Sequence, residues 1–322
     1  MDLNQVTPTQ MRYAVAVEEF QSFRVAAERC HVSQSGLSMQ IQKLEDLLDT
    51  VLFDRSRKPV LITPEGEVAI TQMRVVLREI ERLGQVASEN LEPSGRYRLG
   101  VIPTLAPTVL PLFLRDFVQK YPRVELDIEE LKTQDIVEKL RADTLDAGIA
   151  ATPLSVATLH ETSLGHEALF AYLPSGNPLL NKRTIAQNDL NGHPLWVMQE
   201  GHCFRSQVLS YCHSPDAARP DGVRFESGSF ETLMRLVDGG LGATVLPALV
   251  VQSIPAHKRR AHVRALVSPT PVREIGLVTA RQAFRRRVTD ALADVIKERL
   301  TRALGKGPRR PLVLDPLAPS DQ

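Results

Sequence analysis

The chain has 322 residues, 43% hydrophobic and 24% charged, a composition typical of a folded globular protein with two or three domains. With 39 basic and 38 acidic residues the formal net charge is only +1, which excludes a polybasic protein that binds nucleic acid through its overall charge. The N-terminal segment lacks the regions of a signal peptide, and no apolar run reaches the roughly eighteen residues that span a membrane, so we expect a cytoplasmic protein.

The first part of the chain predicts helices followed by a short β-like interruption. Ser33 is a good N-cap, and Leu37 and Ile41 begin an apolar stripe at helical spacing after it. Two helices joined by a tight turn are typical of a helix-turn-helix. The segment VLFDRSRKPVLIT combines β-branched residues with a basic tip, as a two-stranded wing does. We therefore expect a winged helix-turn-helix DNA-binding domain over residues 1–63.

Polar residues on the second helix and on the wing are the candidate DNA contacts. They are Gln34, Ser35, Ser38 and Gln42 on the helix, with Arg55, Arg57 and Lys58 on the wing. Glutamine can pair with an adenine edge, whereas serine and basic side chains often contact phosphate. Residues 1–63 carry seven basic and eight acidic side chains, so we expect modest affinity per monomer, with a dimer on paired half-sites supplying the rest. The alternative is that these residues are the solvated face of an ordinary helical bundle.

A long helix follows the wing. Thr63 and Pro64 are typical of a helix start, and Val68, Val75 and Leu83 continue an apolar stripe over about 40 Å at about 1.5 Å per residue. An isolated helix of this length needs a partner, and a second copy of the chain is the simplest one. We expect a linker and dimerisation helix over residues 64–93, ended by the Pro-Ser-Gly break.

After this break, short apolar runs alternate with helical segments, which predicts α/β structure with a parallel sheet. The rhythm occurs twice, and REIGLVTA and the last helix follow the second set. We expect a two-lobed regulatory domain over residues 94–303. Lobe I would hold about 94–168 and 272–303, and lobe II about 169–271, with a cleft between them. Residues 304–322 are rich in proline and glycine, and we expect this tail to be disordered.

Two of the three cysteines, Cys203 and Cys212, flank a segment that looks helical. At the start of that helix, beside His202 and Arg205, the sulfur of Cys203 would favour the thiolate, which peroxide oxidises to a sulfenic acid that a second thiol can capture. Nine helical positions separate two Cα atoms by about 13 Å, whereas a disulfide needs about 7 Å, so the helix would have to unwind. Inert packing, or a metal site with His202 and His213, remains open.

The stretch AAERCHVSQSGLSMQIQKLEDLLDTVLFDRSRKPVLITPEG resembles the N-terminal signature of LysR-type transcriptional regulators. It carries the Ala-Ala pair, the Val-Ser-Gln-Ser turn, the Gln-Ile-x-x-Leu-Glu helix, the Leu-Phe-x-Arg wing and the Thr-x-x-Gly start of the linker. The resemblance implies an α+β multidomain fold whose two-lobed effector domain is similar to periplasmic binding proteins. It also implies a DNA-binding regulator rather than an enzyme. Met39 stands where many members carry arginine.

The segment GHCFRSQVLSYC resembles the redox-active segment of the peroxide-sensing branch of this family, and GVIPTLAP, LKTQDIVEKL and REIGLV resemble its other pocket segments. This resemblance implies that Cys203 is the peroxidatic thiol and Cys212 the resolving one. The implied peroxide pocket consists of Thr104, Thr133, His202, Arg205 and Arg273. The threonine hydroxyls would orient the peroxide and Arg273 would favour the thiolate. Helix capping is the alternative role for the two threonines.

The predicted function is transcriptional regulation through reversible disulfide formation between Cys203 and Cys212 in response to hydrogen peroxide. The alternative is a regulator of the same family that binds a small organic effector in the interlobe cleft, with structural cysteines. A thiol peroxidase or a solute-binding protein is the third possibility. Expected partners are double-stranded DNA, further copies of the chain in a dimer of dimers, a thiol reductant of the glutaredoxin or thioredoxin type, and RNA polymerase. We expect no cofactor, no metal and no membrane contact.

Overall fold

The structure is a computed structural model. It describes residues 5–86, 92–190, 193–212, 225, 227–267, 269–280, 285–305, 307–308 and 311–317. Two compact units divide the chain, Met1–Leu91 and Glu92–Gln322. No helix of these described segments combines the length and the apolar character needed to cross a membrane.

The first unit contains helices and a small two-stranded sheet. Its elements are α1 (Pro8–Phe20), α2 (Phe23–Arg29), α3 (Gln34–Leu48), β1 (Phe53–Asp54), β2 (Leu61–Ile62) and α4 (Pro64–Val86). The hydroxyl of Ser33 accepts the backbone N–H of Gly36 at 3.1 Å, and so caps α3 as the sequence predicts. The antiparallel pair of β1 and β2 forms the wing. The predicted winged helix-turn-helix is confirmed.

The core of this unit explains why its helices pack closely. Leu37, Ile41 and Leu44 of α3 are fully buried, and they share a core with Ala26 and Ala27 of α2. The alanines add little bulk, so α2 and α3 can approach each other. The stripe seen in the sequence is therefore the buried face of α3, and residues such as Gln34, Ser35 and Gln42 are exposed on the opposite face.

The start of α4 is fixed to the wing by Thr63 and Gly66. The Thr63 hydroxyl accepts the Gly66 N–H at 2.9 Å, and a Cβ at position 66 would overlap the carbonyl oxygen of Leu52. The Thr-x-x-Gly motif is thus a close approach of backbones that only glycine permits. The helix is described to Val86, and the remainder of the predicted linker up to residue 91 lies outside the described residues, as does the side chain of Leu83.

The second unit is a mixed sheet with helices packed on it. Its strands are β3 (Gly95–Val101), β4 (Val124–Glu130), β5 (Ala147–Thr152), β6 (Leu159–Tyr172), β7 (Thr184–Ala186), β8 (Leu195–Trp196), β9 (Ala243–Pro247), β10 (Val263–Val267), β11 (Thr270–Ala280) and β12 (Pro311–Val313). Its helices are α5 (Ala106–Lys120), α6 (Thr133–Arg141), α7 (Cys203–Cys212), α8 (Phe230–Asp238), α9 (Ala248–Ser253), α10 (Ala256–His262) and α11 (Arg286–Leu304), with short 3₁₀ turns at Pro178–Asn181 and Gln187–Leu190.

The strand order is β4-β3-β5-β11-β6-β10-β7, with β9 also on β6, β8 on β9 and β12 on β11. The long strand β6 runs through both lobes, since Leu164 belongs to one core cluster and Leu169 to the other. The two-lobed α/β architecture is confirmed. The lobes interlock more than the sequence suggests, because Cys203 and Leu249, both within the range predicted for lobe II, pack into the first core.

The tail differs from the expectation for residues 304–322. Residues 311–313 form β12, which runs parallel to β11, and Leu314 is buried in the second core. The prediction of disorder is therefore wrong for residues 311–317. Proline and glycine disfavour regular local structure, but they do not prevent a segment from pairing with a strand far away in the sequence. Residues 306, 309–310 and 318–322 lie outside the described residues.

Candidate redox site and nucleic-acid interface

The two cysteines lie at opposite ends of α7. Cys203 is its first residue and Cys212 its last, and both are free thiols. Cys203 packs into the first core with 8% of its surface exposed, whereas Cys212 is fully buried in the second. Nine helical steps at about 1.5 Å each separate their Cα atoms by about 13 Å, so the intact helix holds the thiols too far apart to bond.

Opposing influences act on the Cys203 sulfur. The Thr133 hydroxyl donates a hydrogen bond to it, and this bond, the charge of Arg273 and the backbone N–H groups of Phe204 and Cys203 all lower the pKa of the thiol. Burial outweighs them and raises the pKa above its ordinary value. The net shift is opposite to the thiolate-favouring balance predicted from the helix start, because the sequence shows the helix end and its charges but not the depth of the pocket.

Arg273 is the cation whose charge lowers the pKa of the Cys203 thiol, and it is completely buried. Its Nε donates to Glu167 at 2.7 Å, and its Nη atoms donate to the hydroxyl and carbonyl oxygens of Thr104 at 3.4 and 3.2 Å. The guanidinium also lies over the Phe204 ring, 5.4 Å from its centre. Arg273 therefore joins the residue after Cys203 to the predicted peroxide residue Thr104.

Glu167 is a site residue that the sequence reasoning missed. It lies directly opposite Arg273 in the β6–β11 register, is fully buried, and accepts the Leu249 N–H at 2.6 Å. A buried carboxylate needs such partners, because removing a charge from water is otherwise prohibitive. An acidic residue just before the apolar run ALFAY was the available signal.

His202 and Arg205 line the same cavity as Cys203. His202 is buried, and its Nε2 lies 3.3 Å from the side-chain nitrogen of Gln199. Burial and the positive charge of Lys132 lower the pKa of His202, against an opposing effect of Glu130, so the ring is neutral at pH 7. Arg205 donates to the Met198 carbonyl at 3.2 Å, which directs its charge toward the backbone.

A cavity of about 520 Å³ opens onto Cys203. Its walls include Thr133, His202, Cys203 and Arg205, together with Gln134, Val137, Leu154, Val156, Glu200, Gly201, Ser206, Pro316 and Leu317. Four of the predicted site residues thus meet at one cavity that is large enough for a small oxidant. Thr104 lines a different cavity, and it is related to the redox site through Arg273, which donates hydrogen bonds to Thr104 and whose charge acts on Cys203.

The cavity that Thr104 lines lies between the lobes and has a volume of about 630 Å³. Pro103, Thr104 and Pro107 form its lobe I side, and Phe230 and Lys258 belong to its lobe II side. This is the size range of pockets that bind small organic molecules. The metal alternative receives no support within the described part of the chain, where no three histidine, cysteine or acidic side chains converge; His213 lies outside it.

The candidate DNA surface is the outer face of α3. Gln34, Ser35 and Gln42 are exposed there, and Met39 is exposed beside them. Gln42 donates to Asp46 at 3.1 Å, so its amide is engaged within the helix. The polar first turn of a recognition helix is the part that reaches base edges in the major groove.

Arg55 links this helix to the wing. It pairs with buried Glu45 at 2.5 Å, donates to the half-buried Ser38 at 3.4 Å and stacks on the Phe23 ring, 5.0 Å from its centre. Glu45 also accepts the backbone N–H of Leu52 at 2.8 Å. Glu45, which the sequence reasoning did not select, therefore fixes Arg55 and the first wing strand relative to α3.

At the wing tip the two remaining basic residues are solvent-exposed. Arg57 lies 3.5 Å from Asp54 in a surface ion pair, and Lys58 is exposed beside it. A surface pair of this kind is weak, so the Arg57 guanidinium can exchange its carboxylate partner for a phosphate.

Comparison with known proteins gives a consistent result. Residues 8–67 match the family of bacterial regulatory helix-turn-helix proteins of the lysR family, and residues 90–301 match the LysR substrate binding domain. The chain is 35% identical over 293 residues to the DNA-binding transcriptional dual regulator OxyR of Escherichia coli K12, which covers 90% of this chain and 94% of that protein.

Solved structures agree in fold. Full-length OxyR from Pseudomonas aeruginosa, a cysteine-to-aspartate variant, is 34% identical with a TM-score of 0.75, over 90% of this chain and 97% of that one. A cysteine-to-serine variant of OxyR from Corynebacterium glutamicum with bound hydrogen peroxide is 27% identical with a TM-score of 0.61, over 92% and 94%.

Proposed function

This chain belongs to the LysR family of DNA-binding transcriptional regulators, which are not enzymes, and we propose that it is a peroxide-responsive regulator of the OxyR type, switched by a reversible disulfide between Cys203 and Cys212. The observation that carries this proposal is the position of Cys203. Its sulfur opens onto a cavity, accepts a hydrogen bond from Thr133 and lies within the influence of the Arg273 charge. These are the groups that orient a peroxide and stabilise an anionic sulfur.

In the first step the Cys203 thiol gives up its proton and the thiolate attacks one oxygen of hydrogen peroxide. A sulfur–oxygen bond forms and the oxygen–oxygen bond breaks. The second oxygen leaves as hydroxide, which takes up the proton and becomes water. The sulfur loses two electrons to the peroxide, and Cys203 becomes a sulfenic acid. Arg273 stabilises both the thiolate and the negative charge that develops on the leaving oxygen.

In the second step α7 unwinds and the Cys212 sulfur attacks the oxidised sulfur of Cys203. The sulfur–sulfur bond forms, the sulfur–oxygen bond breaks, and the leaving hydroxide takes the proton of Cys212 to form water. A thiol reductant of the glutaredoxin or thioredoxin type then supplies two electrons and two protons and restores both thiols. Because Cys203 and Cys212 belong to different cores, at least one of them must leave its core, so the disulfide changes the fold of this segment.

The DNA-binding unit reads double-stranded DNA with α3 in the major groove and the wing on the backbone. We propose that α4 pairs two copies, since Val68 on this helix is 73% exposed although it is apolar. A dimer of dimers would then present recognition helices to several half-sites. Refolding of α7 would change the spacing of those helices and the contact with RNA polymerase.

A stoichiometric test is available because the chain has only three cysteines. One equivalent of hydrogen peroxide is added to the reduced protein, and peptides are mapped by mass spectrometry without reductant. We expect a Cys203–Cys212 link in the wild type and in the matched control Cys30→Ser, and a trapped sulfenic acid at Cys203 in Cys212→Ser. A protein whose Cys203 stays reduced, while its thiols remain titratable after unfolding, is not a disulfide switch.

The second candidate is a regulator that binds a small organic effector, and the interlobe cavity of about 630 Å³ favours it. In that case both cysteines are packing residues and peroxide is irrelevant. A Cys203→Ser variant distinguishes the two functions in cells. Loss of the peroxide response supports the disulfide switch, whereas an unchanged response to an inducer supports the effector.

A further inference from the structure

We propose that residues 311–317, the C-terminal strap, hold α7 in its reduced conformation and close the cavity at Cys203, and that formation of the disulfide releases the strap. The proposal rests on the disulfide switch described above, and it assigns a role to a segment beyond the residues 90–301 that match the family.

The strap is attached to the strand that carries Arg273. β12 pairs with the start of β11 in parallel, with Val313 opposite Val272, and the Leu314 N–H donates to the Val272 carbonyl at 2.9 Å. Since β12 has only three residues, this attachment consists of few backbone hydrogen bonds. Short edge pairings of this kind open at low free energy when other contacts are lost.

The second attachment is to α7, through Gln207. Its side-chain nitrogen donates to the Leu314 carbonyl at 2.9 Å, and the residue is fully buried. Its side-chain oxygen finds no hydrogen-bond partner within the described part of the chain, so this buried amide relies on the strap. The Leu314 side chain packs in the same core as Val208 and Cys212. An intact α7 and a docked strap therefore stabilise each other.

Gln207 lies four residues after Cys203 and five before Cys212, in the middle of the segment that must unwind. Once α7 unwinds, the amide of Gln207 can no longer stay opposite the Leu314 carbonyl, and Leu314 loses the packing of an ordered α7 in the second core. Of these two attachments, the strap then keeps the short pairing with β11. Disulfide formation and release of the strap are thus two results of one structural change.

The strap also forms part of the cavity wall. Pro316 is buried and Leu317 is half exposed, and both line the cavity together with Thr133 and Cys203. Release of the strap therefore opens the cavity on the oxidised protein. A reductant as large as a protein thiol needs such an opening to reach a disulfide that involves Cys203.

Hydrogen exchange of the full-length protein, reduced and oxidised, tests the release directly. We expect the peptide that contains Leu314 to exchange at least about tenfold faster after oxidation, while a peptide from the centre of β11 is unchanged. If the disulfide forms and the strap peptide keeps its protection, the inference is wrong and the disulfide switch stands. If no disulfide forms, the switch itself fails and the release of the strap falls with it.

A pair of variants tests the role of Gln207 as a positioning residue. Gln207→Leu removes the buried hydrogen bond to Leu314, and the control Gln252→Leu removes a solvent-exposed bond of the same length, 2.9 Å, to the Ala303 carbonyl, away from α7. With Gln207→Leu we expect the sulfenic acid to convert to the disulfide about tenfold faster, whereas its formation by peroxide changes less than about twofold. Equal conversion rates in both variants, or equal acceleration of both steps, would overturn the assignment.

Discussion

Replacing Glu167 with glutamine separates the two roles of the buried ion pair beside Cys203. Glutamine has nearly the same shape as glutamate, and its oxygen can still accept the Leu249 N–H, which Glu167 accepts at 2.6 Å. The negative charge that balances Arg273 is lost. The guanidinium then stays buried with only uncharged groups to hold it, the oxygens of Thr104 and the Phe204 ring.

The size of the effect follows from burial. Both side chains are completely shielded from water, so solvent cannot screen the unpaired cation. Removing one partner of such a pair costs about 3–5 kcal/mol in unfolding free energy. The unbalanced charge also stabilises the Cys203 thiolate and lowers the pKa of that thiol. We therefore expect Glu167→Gln to be less stable than the wild type but to react faster with peroxide while it is folded.

Urea unfolding measures the loss, with the fluorescence of Trp196 as the probe. It is the single tryptophan of the chain and is buried in the second core, so it reports on the regulatory unit. The control is Glu129→Gln, which removes the partner of Lys139 in an exposed ion pair, with an expected change of about 0–1 kcal/mol. A midpoint shift for Glu167→Gln no larger than that of the control would show that the reasoning about buried charge is wrong.

Three further outcomes are expected. Because burial keeps Cys203 protonated near neutrality, its rate constant with peroxide should rise with pH in stopped-flow measurements. Thr133→Val removes a hydrogen bond that lowers the pKa of this thiol, so the variant should react about tenfold more slowly at pH 7. Burial raises the pKa of Cys212 from 9.0 to about 12, so the folded state holds the thiol proton more tightly than the unfolded state does. This difference contributes about 4 kcal/mol to the free energy of unfolding below pH 9, and the contribution is lost as the pH rises to about 12. The urea midpoints of the reduced protein should fall more steeply over this pH range than those of Cys212→Ala, which keeps the decline due to Cys203 and the buried tyrosines. Finally, Lys58→Gln should lower the slope of log Kd against log salt concentration by about one on operator DNA. An unchanged slope would show that Lys58 does not contact a phosphate.

Local signals in the sequence were sufficient for the elements of the DNA-binding unit. The hydroxyl of Ser33 and the stripe of Leu37 and Ile41 act within one helix, so their spacing in the chain is their spacing in space. The position of Cys203 at the start of a helix could be predicted from the sequence for the same reason.

Properties that depend on distant parts of the chain could not be predicted from the sequence. Glu167 and Arg273 are 106 residues apart, and they meet only because the register of β6 and β11 places them opposite each other. The thiol of Cys203 has a raised pKa because the first core surrounds it, which no neighbour in the sequence reveals. Arg55 was predicted as a phosphate contact from its place on the wing, but its pairing with Glu45 gives it a structural role as well.

The length of β6 has a mechanical consequence for how a signal leaves the regulatory unit. This single strand of fourteen residues pairs with β11 along one lobe and with β9 and β10 along the other. Closing the lobes toward each other would bend β6 in its middle. It would also break backbone hydrogen bonds between β6 and the strands on both sides of it. The sheet therefore resists hinge motion between the lobes. A conformational change needs less free energy in a helix packed on this sheet, such as α7, which can unwind and refold with each redox cycle.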